Sequence, residues 1–136
     1  MRITRKHWLL GICAVILVLV GGWFVFSAAS PFNRRSAIRA TLEWARLAPF
    51  PVPYSSLHVE VAGSPFTRQF WVSFTGDPQK IQEWLEASPG TRGLEPLSER
   101  DSKGWLVYSI DPAHGLIAEV HLSPDKRQVM VLAIWS

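Results

Sequence analysis

The stretch TGDPQKIQEWLEASPG, residues 75–90, is where the period of the sequence changes, and its reading decides the fold. Asp77 carries the short acceptor side chain of a helix N-cap, and Pro78 suits the first helical position, where its missing N–H costs nothing. Ile81, Trp84, Leu85 and Ser88 then share one face, while Gln79, Lys80, Gln82, Glu83 and Glu86 fill the rest. Pro89-Gly90 stops the pattern. The spacing predicts one amphipathic helix, bounded on both sides by segments of period two.

On the N-terminal side, Leu57, Val59 and Val61 alternate with His58, Glu60 and Ala62, and Phe70, Val72 and Phe74 alternate with Gln69, Trp71 and Ser73. These are two half-buried strands, and Gly63-Ser64-Pro65 between them makes a hairpin the expected pairing. On the other side three strands are expected, at about 105–110, 116–122 and 128–135. Their turns are Asp111-Pro112-Ala113-His114-Gly115 and Ser123-Pro124-Asp125-Lys126. Such short connections predict an antiparallel meander. Residues 129–135 are apolar at both parities, which marks a central strand or one covered on both faces. The polar stretch 89–104 is long for a connection in a small domain.

Further toward the N-terminus a helix is expected from about Asn33 to Leu47, with Ile38, Leu42 and Ala45 as a narrow apolar stripe. Pro49, Pro51 and Pro53 end it and read as a semi-rigid spacer. The order is α-β-β-α-β-β-β. It predicts an α+β domain with a mainly antiparallel five-stranded sheet and helices on one face.

Before that lies RKHWLLGICAVILVLVGGWFVFSAAS, residues 5–30. From Trp8 to Ala29 no residue is charged. At about 1.5 Å per residue these 22 positions reach roughly 33 Å, enough for a hydrocarbon core of about 30 Å. Trp8 at one end, and Trp23, Phe24 and Phe26 toward the other, suit the two interfaces. The reading is a signal anchor, with the lipid bilayer as partner of residues 8–29. A cleaved signal peptide is the competitor: Arg2, Arg5 and Lys6 form a basic head, and Ser27-Ala28-Ala29 offers small residues for cleavage near Ala29. The apolar core is longer than a signal peptide needs. The organisation expected is a basic tail (1–7), a transmembrane helix (8–29), a helix and Pro-rich spacer (30–53) and an α+β domain (54–136).

A sequence pI near 9.4 invites nucleic acid, but the charge distribution withdraws the invitation. Of 14 Lys and Arg, three precede the span, and the other 11 balance 11 Asp and Glu beyond it. The basic excess is an orientation signal, placing the N-terminus in the cytoplasm and the domain outside it. Nucleic acid is excluded as the expected partner. The single cysteine, Cys13, lies in the apolar segment, so the domain has no disulfide framework and no thiolate metal site.

Chemistry-bearing motifs are sparse. There is no Gly-x-Ser-x-Gly elbow, no Ser-x-x-Lys and no phosphate loop, and Gly90-Thr91-Arg92-Gly93 lacks the ending that a phosphate loop requires. His58-Val59-Glu60 and Glu119-Val120-His121 each set a His and a Glu two apart, hence on one strand face. Were those strands neighbours, the four side chains would converge as a zinc site of a metal-dependent enzyme. The plainer reading is a solvated face. Trp71 falls on the polar parity of its strand; exposed, it would anchor a protein partner, whereas burial beneath the 33–47 helix is the commoner fate. Arg92 and Arg100 make the long loop a candidate contact surface.

The function expected is therefore a single-pass, membrane-anchored extracytoplasmic protein. Its small domain would work as a non-enzymatic protein-interaction module without a cofactor, using Trp71, His58, Glu60, Glu119, His121, Arg92 and Arg100. The alternative is a secreted or periplasmic ligand-binding protein released by cleavage.

Overall fold

A computed structural model describes residues 5–26, 31–64, 67–110 and 116–135, with side chains at 10–23, 34–63, 67–110 and 116–135. Arg2, the side chains of Arg5, Lys6, Trp8, Phe24 and Phe26, the cleavage motif at Ala29, the hairpin tip at Pro65 and the turn holding His114 lie outside what is described. The chain divides into two compact units, Met1–Arg35 and Ser36–Ser136.

The first unit contains helix α1, Arg5–Phe26. Its described side chains run from Leu10 to Trp23 and are almost all exposed, Trp23 at 81%. These 14 residues cover about 21 Å. Among the described residues no helix is long and apolar enough to cross a membrane. The span expected over 8–29 starts within α1 and runs past its C-terminal end, into residues outside what is described.

In the second unit, helix α2 (Pro31–Trp44, entering from the first) leads into the strands β1 (His58–Ser64) and β2 (Thr67–Thr75). Helix α3 (Pro78–Ala87) follows, then β3 (Leu106–Ile110), β4 (Leu116–Leu122) and β5 (Gln128–Trp135). The five strands form one antiparallel sheet in the order β1-β2-β5-β4-β3. The fold is thus α+β, and the doubly apolar β5 is central. Asp77 caps α3 as its sequence requires, its Oδ1 accepting from the N–H groups of Gln79 (2.9 Å) and Lys80 (3.2 Å).

One face of the sheet carries Phe70, Val72, Phe74, Val120, Leu122, Val129 and Val131, all buried. Ala37, Ile38, Ala45, Leu47 and Phe50 join Ile81, Trp84 and Leu85 of α3 in the core above them. Trp44 lies 5.2 Å from Phe70 between ring centroids, and Phe50, Phe74 and Trp84 form an aromatic triad.

Helix α2 stops earlier than the periodicity predicts. Arg46 takes a left-handed conformation (φ 51°), its N–H bonds to the Glu43 carbonyl, and the Leu47 N–H reaches back to Leu42 (2.9 Å). This is a Schellman-type ending, with Leu47 supplying the apolar contact that accompanies it. The proline-rich segment that follows is no detached spacer. Trp84 donates its indole N–H to the Ala48 carbonyl (2.9 Å), the Ala48 N–H donates to Ser88 Oγ (2.9 Å), and Phe50 is buried. Residues 36–53 pack in the same compact unit as the sheet.

Candidate functional site

The opposite face of the sheet takes the other parity. Cross-strand register aligns Glu60, Trp71, Leu132, Glu119 and Ser109 in one row, and His58, Ser73, Met130, His121 and Val107 in the next. The described core residues of α2 and α3 pack on the Phe70 face, so Trp71 is not buried beneath the helix that follows residue 31. It is half-buried on the face turned away from α2 and α3, beside half-buried Leu132, and the same face carries Ile117 on β4, which is 52% exposed. The sequence pattern could not decide this, because parity tells which residues share a face but not which face a helix covers.

The convergence of His58, Glu60, Glu119 and His121 is corrected by the strand order. β2 and β5 stand between β1 and β4, and three interstrand steps of about 4.8 Å separate the two histidine backbones by roughly 14 Å. Each histidine bonds locally instead. His58 Nε2 lies 2.9 Å from Glu60 Oε1 in an exposed pair, of the kind that contributes little. Among the described residues no group of three or more His, Cys, Asp and Glu is arranged to hold a metal ion.

His121 has the richer surroundings. Its Nε2 meets Glu119 Oε2 at 2.9 Å and its Nδ1 meets Asp101 Oδ2 at 2.8 Å, and its side chain is only 10% exposed. A carboxylate thus stands at each ring nitrogen and fixes the orientation of the imidazole. The other oxygen of Asp101 accepts from the backbone N–H groups of Lys103 (2.8 Å) and Trp105 (3.0 Å). The bond from His121, followed by those backbone donors, holds the Asp101 carboxyl below its ordinary 3.8 against the opposing effect of burial. Asp101 thus ties a tight loop, closed at Gly104 (φ 76°), to the sheet. The tetrapeptide Asp101-Ser102-Lys103-Gly104 carries a turn signature, Asp first and Gly fourth. Nothing in it points to a histidine 20 residues away.

Past this loop the helix-free face deepens into a cleft of about 460 Å³. Lys103 and Trp105 form one wall, Ser56 and His58 line it as well, and Ser73, Thr75, Gln128 and Met130 contribute from β2 and β5. The Lys103 ammonium sits 5.3 Å from the Trp105 ring centroid.

The two loop arginines are engaged with backbone. Arg92 donates from Nε and Nη2 to the carbonyls of Glu86 and Ala87, completing the C-terminus of α3, where a cation also suits the helix dipole. Arg100 donates to the Gly104 carbonyl (3.0 Å). Sequence reasoning missed Lys103 and Trp105 as cleft residues and Asp101 as the tether.

Compared with known proteins, the chain matches no family model, no curated protein and no solved structure.

Proposed function

We propose that this is a single-pass membrane protein, anchored by residues 8–29 with its N-terminus in the cytoplasm. The α+β unit beyond the membrane contacts another protein through the helix-free face of its sheet. The anchor rests on the uncharged run from Trp8 to Ala29 and on apolar side chains exposed on every side of α1, which a helix in water does not sustain. The basic head directly ahead of a long apolar stretch, the usual pattern of an export signal, supports the orientation.

The observation that carries the interaction reading is the row Glu60–Trp71–Leu132–Glu119. An aromatic and an aliphatic side chain lie side by side between two carboxylates, with Met130, Ile134 and Ile117 extending the apolar surface. The partner this surface fits presents an apolar patch flanked by lysine or arginine.

A photo-crosslinking residue at Ile117 in intact cells, compared with one at Gln82 on the exposed side of α3, tests the surface. A discrete adduct from position 117 only, lost with Trp71→Ala and with Glu60→Lys/Glu119→Lys, is expected. Equal labelling from both positions, or an adduct indifferent to those substitutions, overturns it. N-terminal sequencing of the cellular protein tests the anchor separately: a mature chain starting near Ser30 ends that part of the reading.

A further inference from the structure

The cleft beside the Asp101–Trp105 loop adjoins the apolar row, sharing Met130 with it, and differs in chemistry. None of its lining residues is acidic. The Asp101 carboxylate of the adjoining loop is engaged by His121 and two backbone N–H groups. Among the described residues Lys103 has no carboxylate partner, and its ammonium stands over an indole instead. A lysine so placed, in a concave site lined by no carboxylate, is matched by a carboxylate from outside the chain. Around it stand hydroxyl and amide groups from Ser73, Thr75 and Gln128, beside the flat apolar body of Trp105. Donors and acceptors around an aromatic platform recognise a hydroxyl-rich ring, which offers polar edges and an apolar face. The volume falls within the range of about 300–1,000 Å³ usual for small-molecule sites.

We infer that this cleft binds an acidic sugar, with Lys103 receiving the carboxylate, Trp105 stacking on the ring, and Ser73, Thr75 and Gln128 reading its hydroxyls. Asp101 and His121 do not touch the ligand; they position the wall. The site adjoins the protein-contact surface at Met130 and at the His58–Glu60 pair, but Lys103 and Trp105 belong to the cleft alone, so its test can fail without that of the contact surface.

The test uses the full chain in detergent micelles and follows the tryptophan indole N–H signals by NMR, with Trp105 assigned through Trp105→Phe. The probes are glucuronate, glucose and acetate at equal ionic strength. Glucuronate is expected to shift the Trp105 signal saturably. Glucose and acetate, each lacking one half of the recognition, should bind about tenfold more weakly or worse, and Lys103→Met should weaken glucuronate by a similar factor. Lys103 is exposed, so this variant keeps the fold, and unchanged dispersion of the other indole signals verifies that. Absence of a saturable shift, an unchanged affinity in Lys103→Met, or acetate binding as well as glucuronate overturns the assignment.

Discussion

Replacing Trp84 with phenylalanine tests whether the proline-rich segment is held in the core of the unit. The indole donates to the Ala48 carbonyl at 2.9 Å, and its ring packs against Phe50 and Phe74, each with centroids 5.7 Å away. Phenylalanine keeps a ring in place but removes the donor, at a cost of about 1–1.5 kcal/mol for the hydrogen bond. The lost part of the bicycle removes about 1 kcal/mol more in burial and packing. The sum, about 2–2.5 kcal/mol, should lower Tm by about 8–20 °C for a unit of this size. Circular dichroism of the full chain in detergent, following the sheet signal with temperature, measures it. Ser88→Ala acts on the other side of the same peptide, since the fully buried Ser88 Oγ accepts the Ala48 N–H and donates to the Trp84 carbonyl. Both substitutions loosen Ala48, so the double variant should fall short of additivity by about 0.5 kcal/mol or more. Tm changes under about 2 °C for both single variants would refute the claim that Ala48 and Phe50 are docked on the core.

Two further outcomes follow from named contacts. A Cβ at Gly90 would lie 2.0 Å from the Ala45 carbonyl oxygen, a backbone atom with little room to yield. Gly90→Ala should therefore destabilise the unit by about 3 kcal/mol or more, and a Tm within about 2 °C of the parent in the same melt would contradict this packing. Asp101, whose carboxyl is depressed chiefly by the His121 bond, adds stability that is complete above the ordinary carboxylate range. That contribution is lost as pH falls below 3.8 and through the lowered value. Glu119 and Lys103 are the other charged groups beside this pair, and both remain in Asp101→Asn. Melts between about pH 2 and 6 should show a shallower acid limb for Asp101→Asn than for the parent, and superimposable limbs would remove the pair from the acid response.

Most of the architecture is written locally. Asp77 and Pro78 open α3, period-two alternation marks β1 and β2, and apolar residues at both parities mark β5 as central. What escaped depends on partners distant in the chain. The prolines at 49, 51 and 53 impose an extended backbone whether that backbone is solvated or docked, and only the contacts of Ala48 and Phe50 tell the two apart. Residue parity correctly put His58 and His121 on one face, but their separation depends on strand order, which leaves no trace in either strand. The tether from His121 to Asp101 is likewise a tertiary fact, and with it the wall of the cleft. Arg92 looks like a surface cation in sequence, and only the ending of α3 shows that its guanidinium is already occupied.

The place of β5 has a consequence for how the molecule is made. Among the described residues β1 pairs with β2 alone and β3 with β4 alone; the two hairpins meet through the strand that follows the other four in the chain. Until residue 128 and its successors emerge, the nascent chain has two ribbons whose inner edges face no partner, and isolated hairpins are marginal in water. Sheet closure is then a late event driven by contacts far apart in sequence, which slows it. During that interval the apolar Phe70–Val72–Phe74 and Val120–Leu122 positions lack their central neighbour, and the edges that β5 will fill stay open to other strands until it arrives.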